Sequence, residues 1–285
     1  MIHHSELEIR TMQREEVSSI AAAWAAKEGW NPGLHDADSF HATDPNGFFV
    51  GLIRNEPVAC ISVVSYGEGF GFLGFYIVKE GFRGNGYGIR IWNHGMGYLG
   101  QRNIGLDGVV AQQENYKKSG FVFAYNNIRF EGVAKNFGIA RSYVKTIDNV
   151  PISAALQFDT GYFPVNRERF LLPWLSGPDR HVRFAVEDGE IRGYGVVRKC
   201  LRGYKIGPLF AQSPEYAEGL FQALVSSVSE GEPVFLDIPD PNPHAQALVS
   251  KYGMQKVFET ARMYTKQAPD LHLLHIYGVT TFELG

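Results

Sequence analysis

Between residues 12 and 27 the apolar positions fall at Val17, Ile20, Ala21, Trp24 and Ala25. That three- and four-residue spacing lays one apolar stripe along a helix. Gly29, Trp30, Asn31, Pro32 and Gly33 stop it and open a loop. Residues 35–45 mix acids, His and small polar groups, a pattern compatible with a short helix or a loop. The period then changes. Residues 48–53 and 58–66 read as strands joined by a turn at Asn55, Glu56 and Pro57. Residues 72–78 form an unbroken apolar run, as expected of a strand covered on both faces. Helical spacing returns over 88–99 through Ile89, Ile91, Trp92, Met96 and Leu99, although Gly95 and Gly97 oppose it. Each glycine costs a helix about 1 kcal/mol relative to Ala. A strand at 104–110, a short helix at 113–119 and a strand at 121–130 follow.

The second half repeats this order. Strands at 184–186 and 191–197 flank the turn Asp188, Gly189, Glu190. Then come a strand at 206–211, a helix at 216–227, a strand at 234–238, a helix at 243–251 and a strand at 255–264. Gly74 and Gly207, Gly86 and Gly219, and Gly120 and Gly253 are each 133 positions apart, in matching contexts. Coincidence is the competing explanation in a chain with 32 glycines. Agreement of three pairs at one offset favours an internal repeat. The pattern predicts a mixed α/β chain of two tandem domains, 1–147 and 148–285. Asp148, Asn149, Val150 and Pro151 form the junction.

Composition narrows the classes. Apolar residues make up 45% of the 285 positions and charged residues 20%, a globular balance. A net charge of -3 with dispersed signs argues against nucleic acid, which demands a basic face. Cys60 and Cys200 fit no metal spacing and suit a reducing compartment. The first ten residues, with His3, His4, Glu6 and Glu8, lack the apolar core of a secretory signal. No apolar run approaches the roughly 18 residues of a membrane span. A cytoplasmic protein is the expectation. His3-His4 and His272-x-x-His275 lack a third ligand nearby, so no metal is expected. There is no G-x-S-x-G elbow for a serine hydrolase.

The chemistry concentrates where the buried run 72–78 enters Lys79-Glu-Gly-Phe-Arg83-Gly84-Asn85-Gly86-Tyr87-Gly88. Glycines at a strand-to-helix turn let backbone N–H groups converge on one point, and the helix terminus adds positive potential. Together they suit a pyrophosphate. A P-loop would need Lys and Ser or Thr after the last glycine, where Ile89 and Arg90 stand. The dinucleotide fingerprint starting at Gly84 would place its third glycine at Ile89. Val78, Arg83, Gly86 and Gly88 instead fill V-x-x-x-x-(R/Q)-x-x-G-x-G/A without a gap. In this the chain resembles the GNAT (Gcn5-related N-acetyltransferase) superfamily, whose order of elements also matches.

The resemblance implies a fold of two GNAT-like domains, each a mixed, largely antiparallel sheet flanked by helices. It implies an acetyl-CoA site formed by Ile77, Val78, Arg83, Gly84, Asn85, Gly86, Tyr87 and Gly88. Tyr116, in Tyr116-x-x-x-Gly120-Phe121, takes the family's place beside the CoA sulfur, as the general acid for the leaving thiolate. The family often carries Asn seven residues earlier, where this chain has Val109, with Gln113 and Asn115 nearby. A backbone N–H would polarise the thioester carbonyl. Trp30, Asp36 and Asp38 lie where such enzymes shape the acceptor site, and aromatics with acids suit a cationic amine. Glu68 and Asp107 are nearby carboxylates, each also readable as solvated or structural.

At the 133 offset Arg83 becomes Tyr216, Gly88 becomes Phe221 and Tyr116 becomes Val249. The second half should therefore not bind CoA in the usual way, and should wall the acceptor pocket or stiffen the first. The stretch 271–284, with Ile276, Tyr277, Val279 and Phe282, should cover an interface. The expected activity is acetyl transfer from acetyl-CoA to a small primary amine. The alternatives are another acyl-CoA, a hydroxyl acceptor, or a sensor or scaffold that binds acyl-CoA without turnover.

Overall fold

The computed structural model describes residues 7–138 and 140–285. The His3-His4 pair and Glu6 lie outside the described residues. Strand β1 (Glu8–Thr11) leads into α1 (Arg14–Glu16), a π-helical segment (Val17–Ala22) and α2 (Ala23–Lys27), which realise the first apolar stripe. The ambiguous stretch forms α3 (Asp36–Thr43). Strands β2 (Phe48–Ile53), β3 (Glu56–Ser65) and β4 (Phe70–Val78) make an antiparallel meander. Its first turn sits one residue earlier than expected, because Arg54 and Asn55 take the two positive-φ positions.

Helix α4 (Tyr87–Leu99), β5 (Asn103–Val109), α5 (Gln113–Lys118) and β6 (Val122–Val133) complete the first half. Gly95 is tolerated inside α4 because the helix lies close on β3. A Cβ there would come 2.9 Å from Val63 Cγ1. After β7 (Val144–Thr146) the chain forms α6 (Ile152–Asp159) and α7 (Glu168–Ser176), which the apolar pattern had not shown. Next come β8 (Arg180–Glu187), β9 (Glu190–Lys199), β10 (Tyr204–Ala211), α8 (Pro214–Val225), β11 (Pro233–Pro239), α9 (Pro243–Lys251) and β12 (Gln255–Tyr264).

Each half carries a mixed, largely antiparallel sheet flanked by helices, and the two sheets are continuous through exchanged strands. The order is β1-β2-β3-β4-β5-β12-β6-β11-β10-β9-β8-β7. Strand β12 of the second half pairs with β5 and β6 of the first, with Met263 opposite Leu106. Strand β6 in turn pairs with β11, Phe130 opposite Leu236. Buried ion pairs tie the exchange together: Arg129–Asp237 at 2.7 Å, Arg262–Asp107 at 2.6 Å and Arg198–Asp36 at 3.1 Å. Each joins one half to the other.

The last strand, β13 (Ile276–Gly278), stands apart from this path. It pairs with β10 at Leu209–Gly278 and Phe210–Ile276, while Val279 N–H donates to the Asp237 carbonyl at 2.8 Å. Strands β10 and β11 are paired in parallel only as far as Ile206–Leu236. The tail therefore fills the gap where they part. From there it runs between the two halves. A Cβ on Gly207 would meet the Thr280 carbonyl at 2.4 Å, and one on Gly74 the Glu283 carbonyl at 2.1 Å. The repeated glycine thus has a physical reason at both positions: only a bare Cα lets the tail backbone pass. Of the stretch 271–284 expected to cover an interface, residues 276–284 do so and are buried throughout, whereas His272 and Leu274 stay exposed.

Candidate active site

In the first half the corresponding gap is open. Strands β4 and β5 pair in parallel from Phe70–Asn103 to Leu73–Leu106 and then part. On the other edge of β4 the ladder with β3 is broken between Gly74 and Ile77, and Phe75 holds a φ of 44°. This is a bulge: two residues of β4 face one of β3. The Cys60 thiol, buried, donates to the Phe75 carbonyl at 3.2 Å and fixes its inward turn. Beyond the parting strands lies a cavity of about 570 Å³.

One end of the cavity is the N-terminus of α4. Its N-cap is Gly86 at a φ of 79°, with no side chain capping the first turn and no acidic residue in it. The first N–H groups of a helix have no intrahelical acceptor, so they stand ready for an anion. The two glycines do different work. A Cβ at Gly86 would meet nothing within 4 Å, so its requirement is the left-handed backbone. At Gly88 a Cβ would come 2.6 Å from the Tyr76 hydroxyl and 3.2 Å from Val78 Cγ2. Arg83 stands at this mouth, donating through Nε to the Val78 carbonyl at 2.9 Å and through Nη2 to Glu28 at 2.5 Å.

Val78, Ile77, Arg83, Gly84, Gly86 and Gly88 all line the cavity, while Asn85 and Tyr87 flank it. Asn85 turns its amide back to the carbonyls of Phe82 and Arg83, stiffening the loop. Tyr116 reaches the same cavity from α5. It is stacked on Trp92 with ring centroids 5.8 Å apart, and Gly108 leaves room for its ring. Burial, with a smaller contribution from Tyr76, pushes its phenol up to about 12. Tyr116 is a protonated donor across the whole neutral range.

The opposite end is walled by both halves. Trp30 and Phe75 come from the first, Phe258, Thr260, Phe282 and Glu283 from the second. Trp30 is held in place by second-half and exchanged-strand cations: Arg129 donates to its carbonyl at 2.7 Å and Lys205 at 3.4 Å. The two acids expected beside Trp30 are not brought to this wall. Asp36 is buried as the counter-ion of Arg198 and Arg180, and it accepts from Gly33 N–H at 2.9 Å. Burial pushes its carboxyl up, but the two guanidiniums outweigh that and hold it below the usual range. Asp38 is exposed and pairs with Arg14 at 2.9 Å. Both acids lie in α3, which packs on α7 rather than facing the cavity. Asp107 lines the cavity but is engaged bidentately by Arg262 and receives the Asn127 amide at 2.7 Å. Among the described residues no group of three or more His, Cys, Asp or Glu is arranged to hold a metal.

The counterpart in the second half is closed at each of these points. The N-terminus of α8 is capped by Ser213, whose side chain accepts from Tyr216 N–H, with Pro214 at the first position and Glu215 in the first turn. Tyr216, standing where Arg83 would, donates its hydroxyl to Glu187. Phe221 is buried in the core. The gap itself holds β13.

Comparison with known proteins agrees with this architecture. Residues 9–121 match the family described as Acetyltransferase (GNAT) family, and residues 155–278 match the Acetyltransferase (GNAT) domain. The chain is 34% identical over 267 residues to the holothin acyltransferase of Pseudoalteromonas sp. (strain SANK 73390), covering 93% of this chain and 90% of that protein. It is 22% identical to the uncharacterized N-acetyltransferase YitH of Bacillus subtilis (strain 168), over 82% of this chain and 83% of YitH. Among solved structures, a putative acetyltransferase from Pyrococcus horikoshii superposes with a TM-score of 0.83 at 21% identity, over 100% of this chain and 98% of its own. A tandem GNAT protein from the clavulanic acid biosynthesis pathway does so at 0.65 and 14%, over 92% and 100%. The chain belongs to the GNAT superfamily as a tandem acyltransferase, and the family draws its acyl group from an acyl-CoA. No helix among the described residues is long and apolar enough to cross a membrane.

Proposed function

We propose that this tandem GNAT protein is an acetyl-CoA-dependent N-acetyltransferase, transferring its acetyl group directly to a primary amine of a small molecule with Tyr116 as the general acid. One observation carries the reading. An uncapped helix N-terminus and a buried, protonated phenol share one cavity with a wall fit for an organic acceptor. The amides of the first turn of α4, with Arg83, Gly84 and Asn85 around them, would hold the pyrophosphate. The edge of β4 at Ile77 and Val78 would pair with the pantetheine amides. The acyl-CoA supplies an activated carbonyl and a thiolate leaving group.

The chain's own residues then have defined work. Tyr116 delivers a proton to the sulfur as the C–S bond breaks, and solvent restores it. A phenol held near 12 is a weak acid beside an ordinary thiol of about 8.5. The apolar surroundings that raise the phenol also penalise a bare thiolate, so the two pKa values move together. The test is Tyr116→Phe with acetyl-CoA and an amine panel, following thiol release. Turnover should fall by about 10²- to 10⁴-fold, with acetyl-CoA affinity unchanged by calorimetry. Equal turnover would remove Tyr116 from this role.

A second reading rests on the relative named as an acyltransferase rather than an acetyltransferase. A longer acyl group, or a hydroxyl acceptor, fits the same machinery. A competition of acetyl-, butyryl- and hexanoyl-CoA at fixed amine would rank the chains. Single-turnover CoA release separates all of these from a sensor that binds without reacting.

A further inference from the structure

Attack by an amine also needs a base, and among the described residues that line the cavity one carboxylate is left without a direct partner. Asp107 is consumed by Arg262 and Asn127. Glu28, at the cofactor mouth, pairs with Arg83. Glu283 differs. It lines the cavity, its residue is only 3% exposed, and among the described residues its carboxylate makes no ion pair and no hydrogen bond. A carboxylate that opens onto the cavity with no direct donor has its acceptor oxygens available to a ligand that brings an N–H.

Its position is built rather than incidental. The Thr281 hydroxyl accepts from the N–H groups of Glu283 and Leu284, at 3.2 and 2.9 Å. The Glu283 carbonyl is seated in the space that Gly74 leaves bare. Trp30, Phe75, Phe258 and Phe282 line the same cavity as Glu283. Arg129 backs Phe282 at 4.9 Å from the ring centroid, while its own charge is met by Asp237. Arg129, Arg198 and Lys205 lie within electrostatic reach of the carboxylate, yet their own hydrogen bonds go to Asp237, Asp36 and backbone carbonyls. The carboxylate oxygens are left to accept from a donor in the cavity, and the rings that line it suit a flat apolar body carrying one amino group.

We propose that Glu283 binds the acceptor's amino group and takes the protons it loses, and that the acceptor is a small primary alkylamine with an aromatic body seated among Trp30, Phe75, Phe258 and Phe282. This rests on the acyl-transfer reading and names its substrate class and base. An amine that enters as ammonium first loses one proton through Glu283 to solvent; the freed nitrogen lone pair then forms the new C–N bond as the C–S bond breaks. The nitrogen's surplus proton passes to a Glu283 oxygen, and the sulfur's proton comes from Tyr116. Glu283 then releases its proton to solvent and Tyr116 regains one, so the enzyme returns unchanged. The second half therefore contributes directly to the chemistry, through a residue that crosses over on the tail.

The test uses tryptamine and n-butylamine as probes with the intact protein. Tryptamine should bind without acyl-CoA, as read by calorimetry, and its kcat/KM should exceed that of n-butylamine at least about tenfold. Glu283→Gln should weaken tryptamine binding, lower its kcat/KM about 100-fold and flatten the acid limb of the pH–rate profile. Acetyl-CoA affinity should stay unchanged. Glu283→Asp, which keeps the charge but withdraws it by one methylene, should recover part of the rate and the acid limb. It decides the question by the same readouts should the Gln variant fail to fold. An unaltered pH profile and tryptamine affinity in these variants, or n-butylamine used as well as tryptamine, overturns the assignment. A wild-type protein that binds tryptamine but releases no thiol with any amine would sink the transferase reading, leaving the binding result to judge Glu283.

Discussion

The two halves begin from one plan, a parallel pair of strands that part beside a helix N-terminus, and end with opposite uses for the gap. Between β4 and β5 it opens onto a cavity, and the helix amides beyond are bare. Between β10 and β11 it is occupied by β13, and the helix amides are capped by Ser213 and shortened by Pro214. Each change removes one part of an anion or amide site: the donors, the space and the backbone edge. The difference teaches that a split strand pair is an unsatisfied structure. The chain's own tail completes it in the second half, and in the first the same edge is left to the family's acyl-CoA.

The largest effect should come from denying the tail its passage. Gly74→Val places a side chain where the Glu283 carbonyl now sits, and Gly207→Val does the same at Thr280. Each should cost about 3 kcal/mol, the upper end for overpacking, read from urea denaturation midpoints. Free tolerance of both would contradict the described path. Next in size, Gly88→Phe gives the first cleft the residue found at position 221 of the second. Acyl-CoA affinity should fall at least about 100-fold, roughly 2.7 kcal/mol. The reverse change, Phe221→Gly, should leave calorimetric stoichiometry at one per chain. Two sites would end the contrast.

A graded effect of pH should probe the joint between the halves. For Asp36 and Asp237 burial pushes the carboxyls up, yet facing arginines hold both below the ordinary range. A depressed folded value means their contribution is intact above the unfolded pKa of about 3.9. It is lost as pH falls through the folded value. Denaturation midpoints should be level between about pH 5 and 7 and decline below about 4. A midpoint that keeps its level into strong acid would show that these pairs do not couple the halves. The smallest effect belongs to Ser213→Ala. Loss of that cap should cost about 1 kcal/mol without creating affinity for acyl-CoA, because Pro214, Glu215 and β13 remain.

Much of this was legible in the sequence wherever the determining contacts are local. Arg83, Gly86 and Gly88 announce the turn because backbone conformation and close approach restrict residue type there. The helix at 243–251 and the strand at 255–264 keep their bounds because caps and alternation are written nearby. Helices α6 and α7 escaped, with Pro173 inside α7 obscuring its apolar face. Asp36 misled for a different reason. An acid beside an aromatic loop reads the same whether it faces a ligand or an arginine 162 residues away. The strand exchange and the place of Glu283 in the cavity depend on pairings across the whole chain. A single acid in the run Thr280-Thr281-Phe282-Glu283-Leu284 gives only the faint signal of a charge among buried neighbours.

The interleaving of β12 and β6 has a consequence for how such a molecule can be divided. A cut near residue 148 would leave β5 without its β12 neighbour and β11 without β6, each piece presenting a row of unsatisfied amides. Those rows are complementary to one another before anything else. Two fragments made separately would tend to clump, whereas two made together would find each other and rebuild a single working molecule.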